Sequence, residues 1–180
     1  LNNLRVTGKR FANGFRIQNN SALESLYGLN SLEITYGETD IINNNNLTNL
    51  EGLNNYIGVL FGEFRIQDCD GLQNLSGLEN LSFVNYYLYI INNKSLNDLS
   101  ALSNLSFVGE RVNISNNSTL ENLNGFNILT TTKGIDIFNN KTLISLDGLR
   151  NLVNVSESIS IKYNDQLNDL TAFQNITTTE

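Results

Sequence analysis

The chain has 180 residues, 18 of them acidic and 11 basic, for a net charge of −7. It contains no basic run, which excludes nucleic acid as a natural partner, and no apolar run near the ~20 residues of a membrane-spanning helix. Its single cysteine, Cys69, excludes an internal disulfide, and there is no histidine.

Followed from its start, the chain repeats itself. Leu1 and Leu4 fit the late part of an earlier unit. The first full unit carries Phe15, Ile17, Asn20, Leu23, Leu26 and Gly28. The second carries Thr39, Ile41, Asn44, Leu47, Leu50 and Gly52, and the third Phe64, Ile66, Cys69, Leu72, Leu75 and Gly77. The fourth has Leu88, Ile90, Asn93, Leu96, Leu99 and Ala101, and the fifth Val112, Ile114, Asn117, Leu120, Leu123 and Gly125. The sixth has Ile135, Ile137, Asn140, Leu143, Leu146 and Gly148. The seventh has Ile159, Ile161, Asn164, Leu167, Leu170 and Ala172, and the chain stops after Ile176, partway through a coil. The isoleucines lie 23 to 25 residues apart.

Self-similarity at this period predicts a solenoid, in which each unit buries its apolar face only against its neighbours. Two apolar positions separated by one residue give the period of a strand with a buried inner face. The leucine spacing of three suits 3₁₀-like turns, not a long helix. The fold class expected is all-β: a right-handed parallel β-solenoid of about seven coils of ~24 residues. Residues 1–180 read as one such solenoid, cut from a longer protein.

The ladder column is Asn20, Asn44, Cys69, Asn93, Asn117, Asn140 and Asn164. A solenoid corner points backbone polar groups inward, where they need partners. An inward carboxamide supplies one acceptor and two donors. Cys69 stands in this column as a replacement for asparagine rather than as a reactive thiol. Asn116, beside the column, points outward, and its replacement is expected to do little.

The run Leu88-Tyr89-Ile90-Ile91-Asn92-Asn93-Lys94-Ser95-Leu96-Asn97-Asp98-Leu99, continued by Leu102, Leu105, Val108 and Gly109, resembles the receptor L domain. That domain is the leucine-rich-repeat-like β-helix of insulin-type and growth-factor receptors. The L-x-x-L-x-G-L-x-x-L stretch also looks like bacterial internalin-type repeats. The resemblance covers nearly the whole chain and implies a leucine-rich-repeat solenoid. It brings no ligand with it, because receptor contacts sit on variable outward positions. The chain departs from the receptors in lacking the cysteines that brace their ends.

Twelve N-x-S/T sequons occur, and those at Asn93, Asn117 and Asn140 fall on inward ladder positions. A glycan does not fit there, which points to a source without N-glycosylation, most simply bacterial.

Function must then lie on outward positions. Arg16, Asp40 and Arg65 form a cross-strand charge ladder. Tyr87, Tyr89 and Ile91 face out from one coil, with Ile42 two coils before and Phe138 two coils after. Aromatic and branched residues on a solvated sheet mark an interaction surface. The candidate partner-binding residues are Tyr87, Tyr89, Ile91, Ile42, Arg65 and Phe138. Asp68-Cys69-Asp70-Gly71 starts like a calcium loop but lacks the later ligands, so no metal or cofactor is expected. Glu38, Asp40 and Glu63 supply the carboxylates of a glycosidase. They are interleaved with arginines and no insertion walls a pocket, so catalysis is not expected. The expected function is an extracellular binding or adhesion module of a bacterial, outer-membrane-exported protein. Its ligand would be a protein, a glycan or another domain of the same polypeptide. The alternatives are a structural spacer or, remotely, a polysaccharide-active β-helix enzyme.

Overall fold

The computed structural model describes residues 10, 11 and 14–177. Leu1 and Leu4 lie outside them. In chain order the strands are β1 (Arg10–Phe11), β2 (Phe15–Gln18), β3 (Ile34–Thr35), β4 (Thr39–Ile42), β5 (Gly58–Val59) and β6 (Phe64–Gln67). They continue with β7 (Phe83–Val84), β8 (Leu88–Ile91), β9 (Phe107–Val108), β10 (Arg111–Ser115), β11 (Thr131–Phe138) and β12 (Asn154–Lys162). All pairings are parallel. The expected register holds: Ile17, Ile41, Ile66, Ile90, Ile114, Ile137 and Ile161 are aligned across seven strands. Those strands enclose about six turns of a parallel β-solenoid.

A second row of short strands, β1, β3, β5, β7 and β9, precedes the main row in each coil. The two rows merge in the long strands β11 and β12, making one 12-stranded sheet that bends at a corner. This second row escaped the repeat pattern. Its strands are two residues long, too short to show a period.

The core is the stacked columns. Ile41, Ile66, Leu47, Leu72, Leu96, Leu120 and Leu143 are fully buried, each contributing roughly 1.5–3 kcal/mol. At each corner the leucine N–H donates to the carbonyl of the ladder residue three before it, as in Leu96 to Asn93 at 3.1 Å. The far corners close with 3₁₀ turns at Ser100–Leu102, Asp147–Leu149 and Thr171–Phe173. Elsewhere they close on glycines with positive φ, such as Gly77 and Gly125.

The carboxamide ladder is present. From Asn44 onward, each asparagine Nδ2 donates to an isoleucine carbonyl one coil back, as in Asn117 to Ile90 (2.9 Å) and Asn140 to Ile114 (2.9 Å). Each Oδ1 accepts the backbone N–H of the ladder residue one coil back, as in Asn93 N–H to Asn117 (3.0 Å). Asn44, Asn93, Asn117 and Asn140 are fully buried, whereas Asn20 and Asn164 on the outermost coils are not. Cys69 sits in line, donating to Gln67 and Ile41 carbonyls at 3.4 and 3.7 Å, but thiol sulfur is a weak acceptor. Asn93 Oδ1 meets the Cys69 N–H at 3.0 Å, whereas the Asn44 N–H faces the sulfur. Cys69→Asn is therefore expected to complete the ladder. A rise in the urea midpoint worth about 1 kcal/mol, with unchanged slope, is the measurement.

A second ladder runs outside the first. Asn19, Asn43, Asp68, Asn92, Asn116, Asn139 and Tyr163 all have φ between 52° and 60°. Asparagine and aspartate tolerate this left-handed conformation better than other side chains. Asn43 bonds Asn19 at 2.8 Å, Asn139 bonds Asn116 at 2.6 Å, and Asn92 bonds Asp68. The expectation that Asn116 can be replaced freely is thus corrected. Its backbone conformation, not its burial, restricts it.

Thr39, read with the apolar column, is instead part of a buried polar triad. The Tyr56 hydroxyl lies 2.6 Å from that of Thr35 and 2.7 Å from that of Thr39. Burial pushes the Tyr56 phenol up to about 12 and the Cys69 thiol up to about 11. The folded chain holds both protons more tightly than the unfolded chain, whose values are 10.0 and 9.0. Their stabilisation is complete below the unfolded values and is lost as pH rises through the folded ones. Tyr56 alone should cost about 1 kcal/mol by pH 11. Urea melts from neutral to alkaline pH should show this slope, and Tyr56→Phe should remove the Tyr56 share of it while leaving that of Cys69.

Candidate ligand-binding face

The outward side chains of the main row form one wet face, and strand alternation puts them there. Its centre is β8. The Tyr87 and Tyr89 rings stack in near-parallel planes, 10° apart, with centroids 5.7 Å apart. The Arg65 guanidinium lies 4.6 Å from the centroid of the Tyr89 ring. Such a cation over a ring is worth roughly 0.5–1 kcal/mol at an exposed site. Partial burial, then the neighbouring Glu63 carboxylate, raises the Tyr89 phenol above its ordinary value. Tyr87, Tyr89 and Ile91 are half-buried, held against the strand.

The structure brings Arg65, Tyr87 and Tyr89 into one cluster. It does not join the rest to it. Ile42 and Ile91 are separated in their row by Gln67, and Ile91 and Phe138 by Ser115. Two strand spacings put each pair ~10 Å apart. Phe138 has its own cation, with Lys162 Nζ 5.8 Å from the ring centroid.

The charge ladder is present and tighter than a wet ladder would be. Arg16 pairs with Glu38 and, at 3.1 Å, with Asp40. Arg65 pairs with Glu63 and lies 3.9 Å from the other Asp40 oxygen. Asp40 is only 7% exposed, and its Oδ1 accepts no hydrogen bond. Arg111 reaches across two coils to Asp136, Glu157 and Ser158, each at 3.1 Å. Gly134 makes this possible, since a Cβ there would lie 2.5 Å from the guanidinium.

The bend between the two strand rows carries aromatic residues that the repeat hid. Phe61 is 66% exposed and packs on Tyr36 with centroids 6.1 Å apart. One coil on, Tyr86 is 43% exposed, directly before Tyr87. The Phe83 ring covers Gly58, where a Cβ would lie 2.6 Å from it, and Phe107 pairs with Phe83 in register. The signal was in the sequence as aromatic residues at unmatched positions. Locating them needed the bend.

Asp68 and Asp70 do not form a cation loop. Asp70 pairs with Lys94 at 2.7 Å and Asp68 accepts from Asn92. Among the described residues, no three His, Cys, Asp or Glu side chains gather as a metal site. No helix there is long and apolar enough to cross a membrane. No family model, curated protein or solved structure matches the chain.

Proposed function

We propose that the chain is a non-catalytic binding or adhesion module of a bacterial cell-surface protein, exported across the outer membrane, that meets a protein or glycan through its outward sheet face. The observation that carries this reading is the cluster of Arg65, Tyr87 and Tyr89, extended at the bend by Tyr86 and Phe61. The repeat accounts for every inward column and for none of these rings. Large aromatic side chains gathered on a solvated sheet gain little until something covers them. The carboxylates Glu38, Asp40 and Glu63 are each engaged by arginine, which supports a non-catalytic reading. The sequons at fully buried Asn93, Asn117 and Asn140 support a source that does not glycosylate them.

The test is a pull-down from surface extracts, comparing wild type with a Tyr87→Ser, Tyr89→Ser double variant. Loss of a recovered partner by a folded variant is the expected result. Unchanged recovery would favour the second reading, a spacer within a longer surface protein. The regularity of the coils and the internal pairing of the face's charges speak for that spacer.

A further inference from the structure

We propose that the ligand of this face is an uncharged polysaccharide, lying along the solenoid axis over the aromatic bend. This rests on the binding reading above and names its ligand class. The first argument is charge. Arg16, Arg65, Arg111 and Lys133 are each paired with a carboxylate of the same face. Glu38, Asp40, Glu63, Glu110, Asp136 and Glu157 are the acids they engage. These pairs engage the cations nearest the bend, whereas Lys162, at the far end of β12, lies over the Phe138 ring instead. A charged ligand would have to break these pairs. A neutral one would not.

The second argument is shape. Tyr36, Phe61, Tyr86 and Phe107 fall on four successive coils. Backbone bonds keep the bend in step: Leu60 N–H to Thr35, Asn85 N–H to Val59, and Glu110 N–H to Tyr86, at 2.9–3.0 Å. The Phe61 and Tyr86 rings, at matching positions, therefore recur about one ~4.8 Å strand spacing apart, with Tyr36 packed on Phe61 at 6.1 Å, whereas Phe107 sits in β9 in register with Phe83. An extended polysaccharide repeats at a similar length, one sugar ring per step. Each ring of such a chain presents an apolar C–H face that an aromatic side chain can cover. Its hydroxyl rim needs planar donors and acceptors, which Asn113 supplies beside Tyr89 and Gln67 beside Ile91.

The experiment is affinity electrophoresis of the whole chain in gels cast with neutral polysaccharides (laminarin, mannan, hydroxyethylcellulose) or charged ones (heparin, polygalacturonate). Retardation by at least one neutral polymer, insensitive to salt, is expected. A Phe61→Ser, Tyr86→Ser double variant should bind about ten-fold or more weakly, since two aromatic anchors are removed. Tyr27→Ser, which removes an exposed tyrosine on the far corner, should bind as wild type. Both rings of the double variant are exposed, so its unfolding curve should match that of wild type. Retardation by charged polymers alone, by none, or equally in the double variant would overturn the proposal. If no polysaccharide binds while a protein is recovered through Tyr87 and Tyr89, the ligand class is wrong and the binding reading stands. If neither occurs, both fall.

Discussion

Gly77→Ala should lose about 3–5 kcal/mol of stability. Two independent costs combine. Gly77 has φ of 108°, a conformation strained for any residue with a Cβ. An added Cβ would also stand 2.1 Å from the Leu50 carbonyl oxygen of the preceding coil. That oxygen cannot simply move aside, because the adjacent Leu50 N–H donates to Ser76 at 2.8 Å and ties the two coils together. The matched comparison is Ala101→Gly, one coil on, where the corner is a 3₁₀ turn. There the loss should be only about 0.5–1 kcal/mol, from backbone entropy. Urea unfolding of the two variants measures both. Equal losses would mean that corner contact does not set the spacing of the coils.

Asn117→Ala should cost about 3 kcal/mol. The carboxamide satisfies the Asn93 backbone N–H at 3.0 Å and the Ile90 carbonyl at 2.9 Å, and it is fully buried. Removing it strands both groups away from water, each at about 1–3 kcal/mol. No water can reach them while the coils stay stacked. Asn116 is the control, because it is adjacent but different in kind. Its φ of 59° suits glycine, so Asn116→Gly should be near neutral, whereas Asn116→Ala should cost about 1 kcal/mol. The ladder account fails if Asn117→Ala and Asn116→Gly unfold at the same urea concentration.

The contrast between these two asparagines shows what a sequence of this type discloses. Inward columns are legible because every coil must solve the same packing problem with the same side chain. Ile90, Asn93, Leu96 and Leu99 therefore recur at fixed offsets in the other coils. The column holding Asn19, Asn43, Asp68, Asn92, Asn116 and Asn139 was equally regular. It does not stand out as a column because its demand is a dihedral angle, and asparagine on a surface looks like ordinary polarity. The Thr35–Thr39–Tyr56 triad was hidden for another reason. Its members are scattered across two coils, and only the stack brings their hydroxyls together. Of the candidate site, Arg65, Tyr87 and Tyr89 were found through strand alternation. Phe61 and Tyr86 were not, because they sit on a bend whose position depends on two-residue strands. Ile42 and Phe138 were placed in the right row but too far along it to join the cluster.

The ladders also determine how the molecule would respond to tension. Each rung joins a coil only to the coils beside it, through bonds spanning about 24 residues of chain. A pull along the solenoid axis, applied at the chain's ends, would load the rungs of the outermost coil first and leave the rest slack. Each coil that peeled away would release about 80 Å of contour. The chain would pay out in discrete steps, with the unpeeled coils still folded and still carrying their part of the aromatic bend. A solenoid built in this way would absorb a sudden load by lengthening.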